Sequence, residues 1–217
     1  WFTIQIGLKG TTKSIDEPYI VWLAVGLVPW FFIRDTIVPA ASSVRNNRYL
    51  VTKTVFPTSI IPTFKVLSGF ISSFMFIFVV IFMCIANKIY PDIYWLQTIY
   101  YAFSGFILLV AISFTTSALV VVSRDIEFLL KSIIVLIFWI SPILWPISNI
   151  TNPILSIVVK LNPFFYIIEG FRDSILYHKW FWQSPVLTLY FWIVVLILML
   201  MGVFIHGKLR DYFADIL

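Results

Sequence analysis

Residues 132–159 read SIIVLIFWISPILWPISNITNPILSIVV, without a single Asp, Glu, Lys or Arg. By length this run is a membrane span, since an α-helix needs about 20 apolar residues to cross roughly 30 Å of hydrocarbon. Its prolines rule out a simple one. Pro142, Pro146 and Pro153 each lack a backbone donor and break or kink a helix. The residues before the first break, 132–141, rise only about 15 Å. The pattern predicts a helix that starts near Ile126, kinks at Pro142 and reaches about Ile147. Beyond it, 153–161 and 163–176 read as two helices, each shorter than a span. They either dip into the membrane and return or lie flat on its surface. Bare backbone at membrane depth is tolerated only where protein or a water-lined cavity covers it. A dipping pair therefore implies a cavity or gate.

Outward from this run, 66–87, 93–123 and 180–207 are equally free of charge, and 19–44 is interrupted only by Arg34 and Asp35. The chain is 61% hydrophobic and 12% charged, whereas soluble domains carry about 25% charged residues. This excludes a water-soluble globule. An all-α integral membrane fold is expected, because lipid offers no water to satisfy open backbone groups. The expected spans are 19–44, 66–87, 95–122, a kinked 126–147 and 182–206, with the short helices inside 148–181. Residues 1–8 read as the tail of a first span that begins outside the sequence, which makes six in all, and 9–18 as the loop after it.

Lys and Arg in short loops favour the cytoplasm. The loops 45–65, 124–131 and 208–217 hold four, two and two of them, against two, one and three in 9–18, 88–94 and 148–181. The densest acid-free cluster is 45–65, so that loop and the C-terminal segment 207–217 are placed inside. Trp30, Trp95, Trp180 and Trp182 are expected to be partly interfacial anchors.

The insert SVRNNRYLVTKTVFPTSIIP at 43–62 raises a separate question. On one helix Arg45, Arg48 and Lys53 share a broad basic face. Leu50, Val51 and Val55 form a second face suited to an apolar groove, and Pro57 stops the helix. The insert is either a positive-inside anchor or a rigid element that docks on a partner.

Several chemistries are missing. No G-x-x-x-x-G-K-[ST] occurs to cradle ATP phosphates. Cys84, His178 and His206 are scattered, so no metal-ligand spacing exists. The histidines read as interfacial and Cys84 as a packed thiol. Asn149-Ile150-Thr151 fits a glycosylation sequon that is common by chance. No catalytic constellation stands out, and no nucleic-acid partner is expected. What remains is a transport or scaffold role powered by another chain, or, from a different class, a membrane-embedded polymer-modifying enzyme.

VPWFFI (28–33), NNRYLVTKTVFPTSIIP (46–62), SRD (123–125), SPILW (141–145), LNPFFYIIEGFRDSIL (161–176) and LRDYFADIL (209–217) occur in an order and spacing that resemble one family. It is that of permease subunits of type-2 ABC exporters of lipid-linked polysaccharide, with teichoic acid exporters nearest and O-antigen permeases as the sister group. The resemblance implies a homodimer in the bacterial cytoplasmic membrane with two cytoplasmic ATPase subunits, which alone bind ATP and Mg. The substrate is then a polymer on an undecaprenyl diphosphate carrier. The docking helix becomes a coupling helix over 45–57, with Arg45, Asn46, Arg48, Tyr49, Leu50, Lys53 and Phe56 at the ATPase.

For the substrate path the expected residues are Arg34 and Asp35 at the entrance, then Trp30, Phe31, Phe32, Tyr100, Tyr101, Trp139 and Trp145 as an aromatic surface. Arg34 also fits a snorkelling or structural pair, and the aromatics also fit helix packing. Pro142, Trp145, Pro146, Asn162, Pro163, Glu169 and Arg172 are the expected gate residues. Glu169 and Arg172, three apart on one helix, are placed to pair.

Overall fold

The computed structural model describes residues 17–53, 57–210 and 213. Among them there is no strand. Nine helices follow one another: α1 (Tyr19–Ala41), α2 (Ser43–Asn46), α3 (Arg48–Lys53), α4 (Ile60–Ala86), α5 (Gln97–Val122), α6 (Asp125–Ile140), α7 (Pro153–Lys160), α8 (Pro163–Ile175) and α9 (Pro185–Leu209). Single turns of 3-10 helix at Ile93–Leu96, Ile147–Asn149 and Phe181–Gln183 join them. Tyr19–Ala41, Ile60–Ala86, Ile93–Val122 and Pro185–Leu209 are long and apolar enough to cross a membrane, and α7 with α8 forms a pair bent by 92°. This is an all-α, multi-pass membrane protein.

The long helices differ in what surrounds them. α1 and α5 are mostly buried, whereas α4 and α9 are mostly exposed. The central helices therefore carry the packing, and the outer ones present apolar side chains such as Phe78, Phe82, Leu189 and Phe204 outward. α4 packs on α1, α9 on α5, and α8 on both central helices. Small residues permit the closest approaches: a Cβ on Gly202 would sit 3.0 Å from the Ala111 carbonyl oxygen.

Helix α6 corrects one expectation. It does not kink at Pro142 and run on to Ile147; it stops at Ile140, and Ser141 is extended. Pro142 has no N–H to continue the ladder. Residues 141–145 are turn and bend. By contrast, Asn152 and Asn162 start α7 and α8 as the Asn-Pro pairs suggest: each side chain accepts from a first-turn N–H, that of Ile154 and that of Phe164.

The basic insert is also two helices rather than one, broken at Asn47 with φ −107° and ψ 36°. Its Phe56, Val55 and the side chains of Val51 and Lys53 lie outside the described residues, as do 1–16 and most of 211–217. At this end of the bundle Val44, Ile61, Ala118, Val121 and Phe213 form a small cluster, against which Leu50 packs.

Candidate functional site

The unwound residues after α6 carry carbonyl groups inside the bundle with no helical partner, and a buried carbonyl needs a donor. Ile143 is fully buried there. Three successive carbonyls find side chains instead. Arg172 Nη1 donates to Pro142 O at 2.6 Å and Nη2 to Ile143 O at 2.9 Å. Tyr19 Oη donates to Leu144 O at 2.7 Å. Asn162 Nδ2, on the residue that caps α8, donates to Ser141 Oγ at 2.8 Å. The unwound segment is thus held from α1 on one side and from α8 on the other.

Arg172 is fully buried, and its charge is met from three directions. Glu169 Oε2 lies 3.2 Å away, and the two carbonyls accept from the guanidinium. Its Cζ stands 3.5 Å from the centroid of the Trp22 ring, a cation–π contact in a dry site. Trp22 Nε1 in turn donates to Tyr177 Oη at 2.8 Å. Burial raises the Tyr177 hydroxyl above its ordinary pKa, so it remains a neutral partner. Gly26 on α1 makes the space, since a Cβ there would lie 2.3 Å from Nη2.

Beside this knot a cavity of about 700 Å³ opens between α7, α8 and the start of α9. Its walls include Tyr166, Trp180 and Tyr190, with Glu169, Asp173, Lys160 and Lys179 among them. The wall is tied together by hydroxyls: Tyr100 and Tyr166 meet at 2.9 Å, and Trp192 Nε1 donates to Tyr100 Oη at 2.9 Å. Tyr190 Oη donates to Leu161 O at 2.7 Å, fixing the corner between α7 and α8. Gln97 closes the rim, donating to Lys179 O and accepting from Phe181 N, both at 2.6 Å. Aromatic faces beside carboxylates and ammonium groups suit a polyhydroxylated, partly charged ligand. Among the described residues no group of His, Cys, Asp or Glu is placed to hold a metal ion.

The family model for the ABC-2 type transporter matches residues 4–176. The chain belongs to the ABC-2 type transporter family. It is 28% identical over 200 residues to an O-antigen export system permease protein RfbA of Klebsiella pneumoniae, covering 92% of this chain and 76% of the relative. A second protein of that name from the same organism is 29% identical over 204 residues, with 92% and 76% covered. One from Myxococcus xanthus is 23% identical over 195 residues, with 89% and 74% covered.

The structure of this ABC-2 chain brings some expected residues together and separates others. Pro142, Asn162, Pro163, Glu169 and Arg172 meet at the break, with Pro146 buried and Trp145 half-buried beside them. The aromatics do not form one open surface. Trp30, Phe32 and Tyr101 are buried in the core and Phe31 packs at a tilt against Phe76, while Trp139 is exposed on α6. Trp30 accordingly sits against Phe138 and not at an interface. Arg34 and Asp35 are half-exposed and pair with each other at 2.7 Å. Asp35 lines a notch of about 210 Å³ between α1 and α4 with Lys65, Ser68 and Ser72.

At the other end Tyr49 is exposed, and Leu50 faces inward. The apolar face assigned to a partner groove is therefore occupied at Leu50 by the chain's own cluster. Arg45 lies 3.9 Å from Glu127 at the start of α6. His206 is buried, with Nε2 3.2 Å from Thr58 Oγ1, instead of lying at an interface. Tyr19, Trp22, Gly26, Gln97 and Tyr190 were missed by sequence reasoning. A lone glycine in the apolar run 19–33 and a lone amide at the head of an apolar helix were the only signals.

Proposed function

We propose that this chain is the membrane subunit of an ATP-driven exporter of a lipid-linked polysaccharide, of the O-antigen type. The relatives named above are O-antigen permeases, and this favours that polymer class over the teichoic acid suggested by motif order. The observation that carries the reading is the bent pair α7–α8, pinned by Arg172 to the unwound 141–146 and facing a cavity with aromatic and charged walls. In this reading the α7–α8 end is external and gates the polymer's exit, and the insert at 43–62 and the C-terminus are cytoplasmic. ATP and Mg belong to a separate ATPase subunit, and two permeases pair around the path. Exposed Tyr49 and Arg48 then take the docking role, with Asn46 beside them at the exposed turn.

The test is complementation of a cell lacking its O-antigen permease, with surface polymer and internal lipid-linked polymer measured separately. Export should return together with the cognate ATPase subunit, and purified permease alone should hydrolyse no ATP. ATP turnover by the permease alone, or a chemically altered polymer instead of a moved one, overturns the proposal. The second outcome would favour a polymer-modifying enzyme.

A further inference from the structure

A second cavity, of about 340 Å³, lies between α1, α4 and α5 on a side of the bundle away from Tyr166 and Tyr190. Its walls are almost wholly apolar: Val25 and Val28 from α1, Phe74 and Ile77 from α4, Ala102 from α5 and Phe171 from α8 are among them. Two polar groups interrupt this surface. Trp95 Nε1 and Thr98 Oγ1 are buried without a hydrogen-bond partner, and both residues line the cavity. Thr98 is only 9% exposed. The two are three residues apart, Trp95 in the 3-10 turn that leads into α5 and Thr98 in the first turn of α5, and so lie near one face. An indole N–H can only donate, and a buried donor left unpaired is costly. The missing partner is therefore an acceptor attached to something apolar.

The surroundings narrow its identity. Leu96 of the turn before α5, Ile99 of α5 and Phe74 of α4 line the cavity and are exposed at 65%, 70% and 42%, so its mouth opens on an apolar face of two membrane-spanning segments. Occupants from that side are the chains of membrane lipids. Asp92 is also in the wall, with its carboxylate held by Ile93 N and His178. A carboxylate there disfavours a phosphate oxygen and leaves a neutral one.

We propose that this cavity holds one acyl chain of a membrane phospholipid, with the chain's ester carbonyl accepting from Trp95 Nε1 and Thr98 Oγ1. The ester level of a bilayer coincides with the first turn of a spanning helix, where both groups sit. The lipid fills the space behind Phe171 and Ile175 of α8 and so becomes part of the packing beneath that helix.

The experiment uses the full-length chain in nanodiscs of phosphatidylglycerol doped with phosphatidylglycerol that carries a diazirine midway along one acyl chain. After illumination, the labelled peptides are mapped by mass spectrometry. Labelling should concentrate on 70–81 and 95–102, severalfold above the exposed lipid-facing stretch 193–204 of α9. Thr98→Val, which keeps the shape and removes the donor, should reduce it severalfold at those sites alone. Ala102→Leu fills the cavity one turn further along α5 and should do the same, so the test survives if one variant misfolds. Excess undecaprenyl phosphate should not compete. Even labelling of all exposed helices, labelling unchanged in both variants, or displacement by undecaprenyl phosphate would each overturn the proposal, the last by giving the cavity to a polyprenyl chain.

Discussion

Gly26 and Arg172 should behave as one unit, and their coupling can be measured. Arg172→Ala leaves the carbonyls of Pro142 and Ile143 without donors in a buried site. An unsatisfied buried polar group costs about 1–3 kcal/mol, and removing one partner of a buried ion pair about 3–5 kcal/mol. Because the partner Glu169 is 22% exposed and regains some water, the expected loss is about 3–4 kcal/mol. Gly26→Ala acts on the same bonds from the opposite side. Its Cβ would stand 2.3 Å from Nη2 and 2.9 Å from Cζ, so the guanidinium has to withdraw from Ile143 O. The cost should be about 1–3 kcal/mol, although Gly→Ala inside a helix otherwise gains up to about 1 kcal/mol. The sign therefore reverses with the background: in the Arg172→Ala chain, Gly26→Ala should be neutral or stabilising. The assay is SDS-driven unfolding in mixed micelles, followed by tryptophan fluorescence for the two single variants and the double. Additive costs, or a stabilising Gly26→Ala in the parent chain, would refute the reasoning.

Other consequences can be checked with less effort. Leu50→Asp should lower the yield and stability of the chain itself, since half-buried Leu50 packs against the cluster that includes Val44, Ile61 and Phe213 and a charge is unfavourable there; Tyr49→Ala should leave stability intact and weaken co-purification of the ATPase subunit, and the opposite pattern would place Leu50 on the docking surface. Glu127→Gln should cost no more than about 1 kcal/mol in thermal unfolding, because its pair with Arg45 is 3.9 Å long and its bond to Lys131 is at the surface. If α7 dips into lipid, a cysteine at exposed Ile157 should react slowly with maleimides in the intact membrane, because the attacking thiolate does not form in hydrocarbon, and quickly after solubilisation in detergent, over a low background from buried Cys84; fast labelling in the intact membrane would lay α7 on the aqueous surface.

Much of this fold is written in one dimension. Charge-free runs and Asn-Pro pairs depend on local rules of span length, backbone donors and capping, so the run 66–87, which α4 covers to Ala86, and the starts of α7 and α8 are legible directly. The Glu169–Arg172 pair was visible because three residues on a helix bring side chains together. What Arg172 does was not visible. Its acceptors lie 30 and 29 residues away, its ring partner is on α1, and nothing in a single sequence ties them to it. The end of α6 was misjudged for a related reason. A proline within an apolar run ends a helix, and does not merely kink it, where side chains from elsewhere satisfy the carbonyls of the unwound residues, here those of Pro142, Ile143 and Leu144. For Leu50, half-buried against the chain's own cluster, a helical wheel shows which residues share a face, not which body covers that face.

The corner between α7 and α8 has a mechanical consequence. Both helices begin with their own cap, Asn152 to Ile154 N at 2.9 Å and Asn162 to Phe164 N at 3.1 Å. Neither leans on the other for its first-turn bonds. A swing of α7 about the Asn162 backbone would therefore cost one bond at the corner itself, Asn162 N–H to Val159 O at 3.2 Å, and none in the first turns. The remaining resistance comes from outside the corner: the phenol of Tyr190 on Leu161 O and the amide of Asn162 on Ser141 Oγ. The corner is a latch with two pins and stiff arms on either side of it. Tyr190→Phe withdraws one pin, and hydrogen exchange should then quicken at the corner, 160–162, while the interiors of α7 and α8 keep their protection.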